Sequence, residues 1–183
     1  ETLSAFSSED ILVLQNEIGE LTFLVDRAKK KGMRIALNPS PMEESLVQLL
    51  PSVDFLVLNE IEAAQLLGLK EEESAETMAA AIQRRYPRMT IVLTLGAKGA
   101  LCLAGDVLVR EKALRVKAVD TTAAGDTFTG YFLAGLLAGD DLRRSIQYAA
   151  TAAAIAVTRP GAAPSIPEWG EVLERMKAER TLP

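Results

Sequence analysis

The chain has 183 residues, 49% hydrophobic and 25% charged, the profile of a globular protein with a buried core rather than a disordered, collagenous or disulfide-stapled one. One domain of roughly 150 residues or a little more is the expectation from length, and residues 1–183 are read as a single α/β domain. The net charge of −5 argues against nucleic acid as a partner, and the absence of histidine excludes a Ser-His-Asp triad and every zinc site built on imidazole.

The N-terminus lacks a basic region followed by a hydrophobic core, and no apolar run nears the roughly 18 residues of a membrane span. No membrane partner and a cytoplasmic address are therefore expected. The first element is an apolar strand, Ile11 to Leu14, followed by the polar Gln15-Asn16-Glu17 and an amphipathic helix from Glu20 to Lys31. A second strand, Arg34 to Leu37, ends in Asn38-Pro39-Ser40-Pro41, where the prolines forbid helix; a helical stretch from Met42 to Leu50 follows. A third strand, Phe55 to Leu58, ends in Asn59-Glu60 before a helix from Ile61 to Leu67, and another helix spans Ser74 to Arg85. The β-branched Ile91-Val92 and Leu93 form the next strand and end at Thr94-Leu95-Gly96-Ala97-Lys98-Gly99. Gly96 and Gly99 mark a tight turn into Ala100 to Ala104. That stretch holds the lone Cys102, which can form neither an internal disulfide nor a CxxC site and reads as a buried structural thiol. After Gly105-Asp106 a hairpin-like segment reaches Ala113 to Val119. The small-residue stretch Asp120 to Asp126 comes next. Helices over Thr127 to Ala138 and Leu142 to Val157, a Pro/Gly-rich loop and a last helix from about Pro167 to Arg180 complete the chain.

Strands alternating with helices predict a mostly parallel sheet covered on both faces, an α/β/α sandwich with right-handed crossovers. In such sheets ligands bind beyond the carboxyl ends of the strands. Polar clusters follow the strands at Gln15 to Glu17, Asn38, Asn59 to Glu62, Thr94 to Gly99 and Asp120 to Asp126, so a ligand site is expected along that edge. The last cluster is the sharpest. Ala123, Ala124 and Gly125 have little or no side chain, so their N–H groups can approach an anion, and the helix expected at Thr127 adds its positive end. Asp126 reads either as the cap of that helix or as a base accepting a proton from an attacking hydroxyl beside the anion hole. Phosphoryl transfer calls for the second pairing. The patterns GxxxxGK[ST] and GxGxxG are both absent, which excludes a Walker-type or simple Rossmann phosphate loop.

The stretch Asp120-Thr121-Thr122-Ala123-Ala124-Gly125-Asp126-Thr127 resembles the C-terminal signature of the ribokinase-like (PfkB) carbohydrate kinases. Asn59-Glu60-Ile61-Glu62 resembles that family's Asn-x-x-Glu motif, Thr94 to Gly99 its nucleotide loop, and Asn38 to Pro41 a further family segment, all in the family's order. Val157 to Ser165 resembles its ribokinase branch. The resemblance implies a ribokinase-like three-layer fold and transfer of the ATP γ-phosphate to a primary hydroxyl of a pentose. It implies Asp126 as general base and sugar contact, with Ala123, Ala124 and Gly125 as the anion hole. Thr94, Leu95, Gly96, Ala97, Lys98 and Gly99 would line the nucleotide, with Asn59 reaching its phosphates. Glu62 would help hold Mg²⁺ through water, and Glu17 would contact the sugar. Asp120, Thr122, Ala156, Arg159, Gly161 and Ser165 match the positions around a monovalent cation, usually K⁺. Trp169 and the charged tail from Glu171 to Arg180 read as a docked or frayed terminal helix.

The resemblance begins in the middle of the family pattern: the opening strands of the sheet and the β lid have no counterpart here. An open sheet edge then favours association, as a homo-oligomer or with whatever covers that edge. Two alternatives stay open, a non-catalytic nucleotide- or cation-binding module of the same fold and a family kinase for fructose or a nucleoside.

Overall fold

The computed structural model describes residues 3–69 and 73–180. Six strands form one sheet in sequence order, β1 to β6: β1 is Ile11–Gln15, β2 Arg34–Asn38, β3 Phe55–Asn59, β4 Thr90–Thr94, β5 Ala100–Ala104 and β6 Val107–Glu111. The first four are parallel. The links into β5 and β6, residues 95–99 and 105–106, are too short for a parallel crossover, so the sheet is mixed. The α-helices among the described residues are α1 Leu21–Lys30, α2 Glu60–Leu67, α3 Ala75–Arg85, α4 Ala124–Leu137, α5 Leu142–Ala156 and α6 Trp169–Arg180. No helix among the described residues is long and apolar enough to cross a membrane.

Contacts divide the chain into two compact units, Glu1–Thr94 with Leu101–Leu108, and Leu95–Ala100 with Val109–Pro183. In the first unit the apolar runs read as strands are the core: Ile35, Leu56, Leu58, Ile91, Val92 and Leu93 are fully buried. Each such aliphatic side chain removed from water contributes about 1.5–3 kcal/mol. Helix α1 buries Val25 and Ala28 and packs on β2, and α3 buries Met78, Ala79 and Ile82 and packs on β4. In the second unit α4 and α5 pack along each other. Gly135 is required there, because a Cβ would lie 2.8 Å from Ser145 Oγ and 3.1 Å from its Cα. Helix α6 adds Val172 and Met176 to a cluster with Tyr148 and Ala152.

Three elements differ from the sequence reading. The stretch expected as a helix over Met42 to Leu50 is a 3₁₀ helix, Glu44–Ser52, with Pro51 inside it; the missing proline N–H and ring bulk keep the segment from continuing as α-helix. The hairpin's second strand ends at Glu111, and residues 112–118 run on without regular structure. Helix α4 begins at Ala124 rather than Thr127, because Ala123 takes the left-handed conformation (φ 58°, ψ 13°) and turns the chain three residues early.

Candidate functional site

In the first unit, strand register lines up the polar strand ends. Gln15 lies opposite Asn38, and Asn59 opposite Thr94. Asn38 Nδ2 donates to the Val57 carbonyl at 3.1 Å, and Thr94 Oγ1 to that of Leu58 at 3.3 Å. Both side chains thereby hold adjacent strand ends together. Asn59 caps α2: its Oδ1 accepts from Glu62 N–H and its own N–H donates to Glu62 Oε2, each at 2.9 Å. This reciprocal capping box accounts for an Asn-x-x-Glu spacing by itself, yet Glu62 is only 6% exposed, so it is no solvated helix-face residue. Glu17 is exposed in the turn after β1, where its neighbour Asn16 donates to the Pro41 carbonyl at 3.1 Å. An open cavity of about 280 Å³ beside α1, lined by Leu3, Phe23, Leu24, Arg27 and Lys30 among others, includes none of these residues.

The second unit holds the loop and the small-residue turn. Leu95 N–H donates to the Gly99 carbonyl at 2.8 Å, closing the loop, and Gly96–Lys98 form a single 3₁₀ turn that is exposed. Gly99 is dictated by the fold: its φ is +104° and a Cβ would sit 2.0 Å from the Glu111 carbonyl oxygen. Gly125 is the opposite case. It has ordinary φ, and a Cβ there would meet nothing within 4 Å, so neither backbone conformation nor packing of this chain demands glycine.

Asp126 is the third residue of α4, exposed on its first turn, and not the cap; Ala123 occupies the cap position. The first N–H groups of a helix have no intrahelical acceptor. Of these, Ala124 N–H donates to the Thr121 carbonyl at 3.2 Å. Thr129 Oγ1 donates back to the Gly125 carbonyl at 2.9 Å. Thr127, 3% exposed, has a buried hydroxyl with no hydrogen-bond partner. Ala123 in the left-handed region costs of order 1 kcal/mol or more, and such strain concentrates where a backbone must be aimed.

Of the positions assigned to a monovalent cation, all of them in this unit, Asp120, Thr122 and Gly161 are joined by hydrogen bonds. Asp120 Oδ1 accepts from Thr122 N–H at 2.9 Å and Thr122 Oγ1 at 2.6 Å, and its Oδ2 accepts from Gly161 N–H at 2.9 Å. The Thr122 hydroxyl and N–H, then the Gly161 N–H, hold the Asp120 carboxyl down to about 2. Val119 and Asp120 N–H both donate to the Val157 carbonyl, Arg159 N–H to that of Ala156, and Ser165 Oγ to that of Ala162. Among the described residues no group of three or more Asp, Glu or Cys is placed to hold a metal. Mg²⁺, which keeps much of its water and takes phosphate oxygens, fits one carboxylate such as Glu62; a dedicated protein cage is not present among those residues.

Three features of the second unit escaped the sequence reading: the unpartnered Thr127, the pair between Arg159 and Glu171, with Nη2 to Oε1 at 2.5 Å, and the stack of Trp169 on Tyr131, ring centroids 5.3 Å apart. None of the three leaves a local sequence signal; the glutamate three residues after Glu168 marks only the helix-start bond from Glu168 N–H to Glu171 Oε2.

Residues 3–169 match the model of the pfkB family carbohydrate kinases. The chain is 36% identical over 171 residues to the ribokinase of Haemophilus influenzae, covering 92% of this chain and 56% of that protein. It is 33% identical over 168 residues to the deoxyribokinase of Salmonella typhi, with 89% and 55% covered. The structure of Arabidopsis thaliana ribokinase complexed with ribose and ATP superposes with a TM-score of 0.81 at 31% identity, covering 91% of this chain and 55% of that one. The chain thus spans little more than half the length of the relatives it matches. The mixed sheet with its helices is the ribokinase-like α/β fold of those neighbours.

Proposed function

From the premise that the chain belongs to the pfkB family of carbohydrate kinases, we propose that it supplies the nucleotide-binding and catalytic part of an ATP-dependent sugar kinase. The reaction is transfer of the ATP γ-phosphate to a primary hydroxyl of a pentose, with ribose as first candidate. ATP and the sugar are its small-molecule ligands. The observation that carries this reading is the start of α4. An exposed carboxylate, Asp126, stands on the first turn of a helix whose opening residues are nearly side-chain-free, with open space beside Gly125.

In this reading Asp126 accepts the proton of the attacking hydroxyl, and N–H groups of the Ala123 to Gly125 turn stabilise charge on the transferring phosphoryl group. Little covalent work falls to the protein in such a transfer; positioning and charge stabilisation supply most of the rate. Residues 94–99 line the adenine nucleotide, Asn59 reaches toward its phosphates, and Glu17 contacts the sugar. Glu62 would hold Mg²⁺ through water, and Asp120, Thr122, Ala156, Arg159, Gly161 and Ser165 would surround K⁺. These ions, when bound, supply positive charge against the phosphates and beside the turn. Support for the last group is that Asp120 is hydrogen-bonded to both Thr122 and Gly161, and that Val157, next to Ala156, accepts from Asp120 N–H.

The test is Asp126→Asn in the complete protein, assayed for ATP-dependent phosphorylation of ribose. Loss of about 10²-fold or more in kcat is expected for a lost general base; near-wild-type turnover removes Asp126 from that role. The 33% identity to a deoxyribokinase favours 2-deoxyribose as the second substrate to assay, with fructose and nucleosides after it. Nucleotide affinity without turnover on any of them would instead point to a binding module.

A further inference from the structure

The first turn of α6 touches two segments that adjoin the turn carrying Asp126, the 157–161 loop through Arg159 and α4 through Tyr131. Glu171 accepts from Arg159 chiefly through one short charge-assisted bond, Nη2 to Oε1 at 2.5 Å, with a longer second contact from Nη1 to Oε2 at 3.4 Å. Arg159 lies in the loop whose Gly161 N–H holds Asp120 and whose Val157 carbonyl holds the N–H groups of Val119 and Asp120. Asp120 in turn sets Thr122 by two hydrogen bonds, directly before the left-handed Ala123 that opens α4. Two residues from Glu171, Trp169 stacks on Tyr131 of α4, and the Tyr131 hydroxyl donates to the Pro167 carbonyl.

We infer that Glu171 is a positioning residue: through Arg159 and the 157–161 loop it fixes Asp120, and with it the turn that presents Asp126. This rests on the kinase reading. The plainer role is also on the page, since Glu171 Oε2 accepts from Glu168 N–H at 2.8 Å and so caps its own helix. Glu171→Gln separates the two, because the amide oxygen can still accept from Glu168 while the charged pair with Arg159 is gone.

The experiment uses the complete protein as wild type, Glu171→Gln, Arg159→Gln and the exchange Arg159→Glu with Glu171→Arg. Amide hydrogen exchange is followed at Val119, Asp120, Thr122 and Gly161, with sugar phosphorylation measured alongside. Both single variants should speed exchange at these amides by roughly tenfold, with α3 unchanged, and lower kcat by about tenfold while KM for ATP moves less than about twofold. The exchanged pair should recover part of both losses. Wild-type exchange at the four amides in folded Glu171→Gln and Arg159→Gln, or faster exchange with unchanged kcat, overturns the inference. So does faster exchange confined to α6, which is what a cap alone would give. An inactive wild type removes the kinase reading instead, and it is recognised before any variant is compared.

Discussion

Two glycines in this chain answer to different masters, and substitution separates them. Gly99→Ala places a Cβ against the Glu111 carbonyl at a φ of +104°, so we expect destabilisation of about 3 kcal/mol or more, read as a lower denaturation midpoint. Gly125→Ala meets no neighbour and replaces a poor helix former, so stability should rise by about 0.5–1 kcal/mol. Activity should nevertheless fall at least about tenfold if phosphate occupies that space. A fully active Gly125→Ala enzyme would leave the turn without its assigned role. Sequence alone does not tell these glycines apart, because what distinguishes them is the Glu111 carbonyl, twelve positions away. Cys102 was legible, since an apolar run around a lone thiol leaves only burial. Burial pushes its thiol from 9.0 up to about 12. Because the folded-state value is raised, this thiol's contribution to stability is complete below pH 9 and is lost as pH rises toward 12. In the folded protein at pH 8 an aromatic disulfide reagent should fail to label Cys102, and labelling should become complete on unfolding.

At the scale of elements, the strands were readable because each apolar run stops at a polar or proline-bearing residue, and β2 to β4 are buried on both faces. Less readable were elements whose ends depend on one backbone conformation or one packing contact. Nothing in Ala123-Ala124-Gly125 announces a left-handed alanine, so α4 begins three residues before the sequence suggests, and Asp126 moves from cap to first turn. The α4 and α5 pair shows the same dependence on contact. Gly135→Ala would set a Cβ 3.1 Å from both Cα and Cβ of Ser145; rotating the hydroxyl away cannot relieve that, so the helices must separate. We expect a cost of about 1–3 kcal/mol. Ser145→Ala added to it should recover little, whereas Ser145→Gly should recover more, despite its own helix penalty of about 1 kcal/mol. Equal recovery by both would show that the hydroxyl alone sets the spacing.

For the molecule as a whole, the sheet's two outer strands carry its least protected apolar surface. Strand β1 is at one end of the order and β6 at the other, with Val13 of β1 50% exposed and Val107 and Leu108 of β6 54% and 44% exposed. An outer strand offers unpaired N–H and C=O groups, and apolar residues on it make pairing with another chain favourable. Charge on such a strand opposes that pairing, because lysine keeps its ammonium in water only if the edge stays open. β6 already has Arg110 and Glu111 beside its exposed pair. β1 has the apolar Ile11 to Leu14 without a charge among them, so it is the edge expected to dominate. The 183-residue chain should therefore sediment above its 19.7 kDa monomer mass as concentration rises into the micromolar range where exposed edges associate. Val13→Lys should return it toward the monomer, and Leu108→Lys should do so less. If Leu108→Lys is the more effective, the edge that drives association is β6; if neither changes the sedimentation, association through the sheet edges is excluded.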